Sequence, residues 1–247
     1  MAVLVTRPAP DNAATVAALR ERGIASLLAP MLRFEAVAAF EDAADYDGLI
    51  ATSANALRAA ADHPALAQWR TLPLFAVGEH TGEAARAIGF ADVVAGRGGA
   101  DALPPLVESY FARGARKTGQ RPALLHLAGA DIAHDLSAPL AARGIDVIVR
   151  TVYRMAAVSN LPREVCNAFA ANQIDAILHF SRRSAQAFVA AVRSEGVEIT
   201  ALALPQCCLS DTIGAVLRGA GASRVIVTAA PNERAMLEAV DRALQPR

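Results

Sequence analysis

The sequence predicts an α/β fold made of two similar parallel-sheet domains, and three observations carry that prediction. Short β-branched or Leu-rich runs alternate with helical patterns that open on small polar residues and close on glycine, the pattern of βα units. The composition is 54% hydrophobic but only 5% aromatic, which suits helices packed on buried strands better than a barrel or sandwich. The 247 residues exceed the usual single-domain length of roughly 100–200, and the chain contains an ordered internal repeat.

Taken in order, Val3 to Val5 reads as a strand followed by a helix from about Asp11 that stops at Gly23. Gly48 to Ala51 leads past Ser53 to a short helix ending near Asp62, and Leu74 to Val77 leads past Gly78 to a helix ending at Gly89. Asp92 to Ala95 precedes a helix from about Asp101. The scheme then recurs: Leu124 to Leu127 with a helix ending at Gly144, then Val147 to Tyr153. Ile174 to Phe180 precedes Ser181 and a helix to Gly196, Cys207 to Leu209 precedes Ser210 and a helix stopping near Gly219, and Val225 to Val227 precedes a helix from about Asn232.

Laid side by side, VLVTRPAPDNAATVAALRERGI resembles ALLHLAGADIAHDLSAPLAARGI, and DGLIATSANAL resembles DAILHFSRRSA. Gly23 and Gly144, Ser53 and Ser181, and Gly89 and Gly221 fall at nearly constant offsets. Two such halves, layered as in flavodoxin and Rossmann folds, bind ligands beyond the C-terminal ends of their strands, so a cleft between the domains is the expected site.

Lys plus Arg and Asp plus Glu are both 24, which leaves no global basic field for nucleic acid or anionic membranes. The basic cluster Arg113, Arg116, Lys117 and Arg121 lies among Gly114, Gly119 and Gln120 and reads as a solvated connector. Cys166, Cys207 and Cys208 offer neither a disulfide framework nor metal-ligand spacing, and the N-terminus lacks a signal-peptide pattern, so a cytoplasmic location is expected. No apolar run reaches the length of a membrane span.

Four turns share one design, in which a buried strand ends in Ser or Gly and a helix starts at once: Thr52-Ser53-Ala54-Asn55, Val77-Gly78-Glu79-His80-Thr81, Phe180-Ser181-Arg182-Arg183-Ser184 and Leu209-Ser210-Asp211-Thr212. Each turn alone reads as simple N-capping, but four on one layout point to a carboxylate-rich ligand met by unpaired helical N–H groups. The glycine-rich motifs of nucleotide sites are absent, as are a metal constellation and a G-x-S-x-G nucleophile elbow. His126 and His179 lie inside strand runs and read as core or edge imidazoles. Arg7 follows the first strand, where it can reach a carboxylate or remain a surface arginine. Tyr153 ends a strand, as a boundary residue or a proton donor.

Together VLVTRPAP, DGLIATSANAL, FAVGEHTGEAARAIGF, LHLAGADIAHDL, ARGIDVIVRTVYR, AILHFSRRSAQAF and AAPNERAMLEAV resemble bacterial uroporphyrinogen-III synthase over nearly the whole chain. The resemblance implies two α/β domains joined by two extended crossings, with residues 1–35 and 156–247 in one domain, 38–150 in the other, and crossings near 31–37 and 149–157. It implies hydroxymethylbilane as substrate, no cofactor, and a transient contact with hydroxymethylbilane synthase; nothing in the surface pattern demands a partner copy, so a monomer is expected. In the family reaction the terminal hydroxyl leaves to give an azafulvene, ring D attacks to form a spiro pyrrolenine, and recyclisation inverts that ring.

Position by position, Tyr153 matches the family's candidate acid, Thr81 the threonine of V-G-x-x-T, Ser53 and Ser181 the loop serines, and Arg7 the arginine after strand one. Asn55, Gly78, Gly129, Ser210 and Thr212 complete the expected substrate-binding set. Two departures stand out: I-G-P-T-T-A appears as Leu209-Ser210-Asp211-Thr212-Ile213-Gly214, and the arginine often found near Gly129 is absent. A non-catalytic two-domain binding module and an inactive synthase paralogue are the competing readings.

Overall fold

The computed structural model describes residues 2–38, 45–113, 121–132 and 134–245. Arg116 and Lys117 of the basic cluster lie outside them. The chain divides into two compact units, Met1–Arg33 with Ala156–Arg247, and Phe34–Met155.

The first unit opens with β1 (Ala2–Val5), α1 (Asn12–Glu21) and β2 (Ala25–Leu28). After the chain returns it adds α7 (Arg163–Ala170), β9 (Ala176–His179), α8 (Arg182–Ser194), α9 (Glu198–Ala203), β10 (Gln206–Cys208), α10 (Asp211–Gly219), β11 (Val225–Val227) and α11 (Glu233–Leu244). The sheet order is β11-β10-β9-β1-β2, and every pairing in it is parallel.

Between these parts run β3 (Leu32–Ala36), β4 (Gly48–Ala51), α2 (Ala54–Ala60), α3 (Leu66–Trp69), β5 (Leu74–Val77), α4 (Glu79–Ala87), β6 (Val93–Gly96), α5 (Leu103–Arg113), β7 (Ala123–Gly129), α6 (Ser137–Ala141) and β8 (Asp146–Ala157). Their sheet order is β3-β8-β7-β4-β5-β6. If β7 is set against β1, β8 against β2, and β4, β5 and β6 against β9, β10 and β11, the two sheets have the same order. The sequence repeat is therefore a repeat of topology, entered at a different strand. Backbone bonds from Val37 N to Val152 O and from Val158 N to Met31 O show that β3 and β8 run in opposite directions.

The strands are apolar because helices cover both faces. In the first unit Leu4, Ile177 and Cys208 pack with Phe169, Phe188, Val192 and Leu217, while Val3, Val5, Leu178 and Cys207 meet Leu19, Met236 and Val240 of α1 and α11. In the second, Leu49, Leu74 and Leu125 pack with Leu57, Trp69 and Ala85, and Ile50, Phe75 and Leu124 with Leu103, Val107 and Leu140. Gly23 and Gly144 both turn the chain from helix to strand at positive φ, 71° and 74°, a conformation costly for a residue with a Cβ.

Several elements differ from the sequence expectation. The helix expected from Asp101 starts as a 3-10 turn, Ala100–Ala102, before Pro104 and Pro105 open α5. The strand expected over Val147 to Tyr153 extends to Ala157 because β3 gives it an additional partner. β2, α3, α7 and α9 are additional to the expected elements; β2 is an edge strand of four residues with no fully buried position, so its pattern is weak. α7 is strongly amphipathic through Val165, Ala168 and Phe169, but its sequence opens on Pro162 without a polar side-chain cap.

The three cysteines are free thiols, and burial pushes Cys207 and Cys208 up to about 12, far from a reactive thiolate. No group of three or more His, Cys, Asp or Glu side chains among the described residues is placed to hold a metal. No helix among them is long and apolar enough to cross a membrane.

His179 is enclosed at the end of β9. Its Nε2 lies 2.9 Å from Gln206 Oε1, and the Gln206 amide nitrogen donates to the carbonyls of Ala201 and Leu204. The amide oxygen therefore accepts, which assigns the imidazole proton to Nε2.

This packing generates two predictions. Phe188→Ala removes a fully buried ring from the first unit and should cost about 3–5 kcal/mol, read as a lower urea midpoint. Burial pushes the His179 imidazole down to about 4, with the Gln206 bond opposing, against about 6.5 in the unfolded chain. Between those values only the unfolded chain takes up the proton, so this stability is full above about pH 6.5 and falls toward pH 4. Urea titrations at about pH 7 and about pH 5 should show His179→Leu losing about 2 kcal/mol less over that span than the wild type; equal losses would refute the assignment. His126, pushed down by its own burial, adds a loss of the same sign to both proteins.

Candidate functional site

Each sheet directs its turns to the edge where its parallel strands end. In the second unit, Ser53, Gly78 and Gly129 follow or end the adjacent strands β4, β5 and β7, and Tyr153 lies on neighbouring β8. In the first, Arg7, Ser181 and Ser210 follow the adjacent strands β1, β9 and β10. The expected residues thus form two groups, one at each sheet's edge.

The four turns are not equivalent. Ser53 accepts a bond from Asn55 N at 3.2 Å, and Ser181 accepts from Ser184 N at 3.0 Å and donates to Ser184 Oγ at 2.8 Å. These serines spend their hydroxyls on capping α2 and α8. At Gly78 and Ser210 no side chain caps the helix, so the N–H groups of Glu79 and His80 in α4 and of Asp211 and Thr212 in α10 keep their donor capacity, while Ile213 N donates to Ser210 O at 3.2 Å. Ser210 Oγ lies 2.9 Å from Thr212 Oγ1, and Thr212 is exposed. Thr81 is buried in the first turn of α4. Asn55 points its amide at Met155 Sδ, 3.9 Å away, which ties the start of α2 to β8.

Arg7 is engaged by protein carboxylates. Its Nη1 donates to Glu233 Oε2 at 2.9 Å, its Nη2 lies 3.5 Å from Asp11 Oδ2, and its guanidinium stands 4.7 Å from the Phe180 ring centroid. Glu233 Oε1 is buried without a hydrogen-bond partner. A ligand carboxylate reaching Arg7 must therefore compete with Glu233 and Asp11. Phe180 belongs to one of the four turns, but nothing in the sequence marks Glu233; a Glu opening a helix after Asn232 looks like an ordinary first-turn acid.

Tyr153 is placed by a bulge. Ala128 pairs with Thr151 but Gly129 pairs with Tyr153, so Val152 is the extra residue. The strand's alternation is interrupted there, and Val152 and Tyr153 both pack against the core of α2 and α4. The phenol ring stacks on Phe34, with centroids 5.8 Å apart and planes 19° apart. Arg58 covers Phe34, its guanidinium carbon 4.5 Å from the ring centroid. No described residue hydrogen-bonds the Tyr153 hydroxyl, so its proton is not committed to the protein.

His126, three residues before Gly129, is buried with Nε2 unpartnered. Burial pushes its imidazole down, partly offset by the charge of Asp135, so the ring is neutral near neutral pH. Asp135 accepts from Ser137 N at 2.8 Å, and the Ser137 hydrogen bonds hold its carboxyl below the usual range.

The sequence matches a known family. The sequence pattern of uroporphyrinogen-III synthase HemD matches residues 13–238. Among solved structures, uroporphyrinogen-III synthetase from Helicobacter pylori superposes with a TM-score of 0.65 at 18% identity, covering 98% of this chain and 99% of that one. A mutant uroporphyrinogen III synthase from the extremely thermophilic bacterium Thermus thermophilus gives 0.53 at 17% identity, covering 99% of each chain. Among curated protein sequences nothing matches. The structural likenesses establish the fold, and the pattern spanning most of the chain establishes that this protein belongs to the uroporphyrinogen-III synthase family, enzymes of tetrapyrrole biosynthesis.

Proposed function

We propose that the chain converts hydroxymethylbilane to uroporphyrinogen III, with loss of water and inversion of ring D, and that Tyr153 is the acid that releases the hydroxyl. The observation carrying this reading is the placement of the Tyr153 phenol at the strand-end edge of the second sheet, with its hydroxyl uncommitted to any described residue.

The first step breaks the carbon–oxygen bond of the hydroxymethyl group. Tyr153 delivers a proton, water departs, and electrons from the pyrrole nitrogen stabilise the resulting azafulvene. The substituted carbon of ring D attacks the methylene to give the spiro pyrrolenine. Cleavage of the bond from ring D to its original methylene bridge follows. The free position of ring D then captures that bridge and loses its proton, so the proton taken up at the start is returned and water is the net loss.

Ring closure through the wrong carbon needs no enzyme, so the protein's task is orientation. Uncapped N–H groups at Gly78 and Ser210 suit the substrate's acetate and propionate groups. Thr212, with an exposed hydroxyl, adds a donor beside them. Ser53 and Asn55 fix the start of α2 and Ser181 the start of α8, the helices packed beside α4 and α10 from which those donors project. Arg7 takes a substrate carboxylate in exchange for Glu233. No cofactor enters this sequence of steps. We place the enzyme in the cytoplasm as a monomer that receives its labile substrate from hydroxymethylbilane synthase.

Freshly generated hydroxymethylbilane incubated with the purified protein should yield, after oxidation and chromatography, the type III porphyrin in excess of the spontaneous type I. Type I alone from folded protein would favour a binding module or an inactive paralogue. Tyr153→Phe should lower kcat by about 100-fold while leaving the urea midpoint unchanged, since general acids contribute at least that factor; an unaltered kcat would remove the acid role.

A further inference from the structure

We propose that Gly129 is a positioning residue for the reaction, forming with Phe34 a slot that fixes the Tyr153 hydroxyl. This inference rests on the acid role proposed for Tyr153. A methyl group built on Gly129 would lie 2.7 Å from Tyr153 Cζ, 2.9 Å from its hydroxyl oxygen and 3.0 Å from Cε1. The phenol tip therefore lies directly against the glycine backbone, a separation that any Cβ would prevent.

The opposite boundary is Phe34, stacked on the phenol and itself covered by Arg58. The bulge at Val152 supplies the remaining constraint. It brings Tyr153 opposite Gly129, and Ala130 N donates to Tyr153 O at 2.9 Å, which pins the backbone on both sides of the pair. Backbone pairing and ring contacts act together on one side chain, so its hydroxyl is aimed by packing alone.

Alanine at position 129 tests this cleanly. The glycine does not occupy the left-handed region, so its backbone accepts a Cβ. What must yield is the far end of the phenol, which has to retreat by about 1 Å to reach ordinary contact. The substitution therefore displaces the acid while leaving the sheet in place, and a displacement of that size can cost about 100-fold in rate.

The experiment compares wild type, Gly129→Ala, Tyr153→Phe and the double variant on fresh hydroxymethylbilane, measuring kcat, KM and the urea midpoint. Gly129→Ala should lose about 100-fold in kcat with KM and midpoint near wild type, and the double variant should be no slower than Tyr153→Phe. A Gly129→Ala enzyme at wild-type rate overturns the inference, as does a double variant slowed by the product of the two single effects, which marks damage unrelated to the phenol. If Gly129→Ala does not fold, Phe34→Leu, with and without Tyr153→Phe, decides: a kcat loss that disappears in the Tyr153→Phe background supports the slot, and a multiplicative one overturns it. A wild type that forms no type III isomer, or a Tyr153→Phe variant as fast as wild type, instead removes the reading on which the slot depends.

Discussion

Helices cover both faces of each sheet, and that covering governs where polar groups can stand. Once helices lie above and below, the strand interiors must be apolar, and Val3, Leu4, Val5, Leu49, Ile50 and Ala51 are fully buried accordingly. Polar chemistry is left to the strand ends. Because the strands of each βα unit are parallel, those ends share one edge, and the helices that follow bring their N-terminal amides to it. The two sheets reach the same strand order from different starting strands, so each supplies one such edge.

Within that layout the turns divide by what their first residue does. Serine at 53 and 181 occupies helical amides, whereas glycine at 78 and the Ser210–Thr212 pair leave them open. The same sequence pattern thus yields two structural turns and two suited to anions. Charge follows a similar logic. Arg7 is balanced by Asp11 and Glu233, which fits a protein with no net charge in which cations are held locally.

The proposed reaction accounts for a proposed site with few conspicuous side chains. Release of one hydroxyl followed by carbon–carbon bond formation would call for a proton and for orientation, which backbone and packing can supply. The Tyr153 environment shows how much that can involve. One extra residue in β8, one missing side chain at Gly129 and one stacked ring at Phe34 locate a single phenol.

The alternation of buried strands and glycine-stopped helices, the repeat that pairs Gly23 with Gly144 and Ser53 with Ser181, and the family resemblance are all legible in the amino-acid order. These are local or periodic signals, written in consecutive residues. That order leaves β2 and α7 unmarked, since an edge strand has little burial and Pro162 gives no polar cap. Folding, not local pattern, sets Glu233, 226 residues away in sequence, against Arg7, makes Val152 the bulged residue, and brings Phe34 and Gly129 against Tyr153. Those contacts join strands and helices distant in sequence, and a one-residue shift in strand pairing leaves no trace in the pattern of β8, where Val152 alone is buried and no regular alternation marks the register.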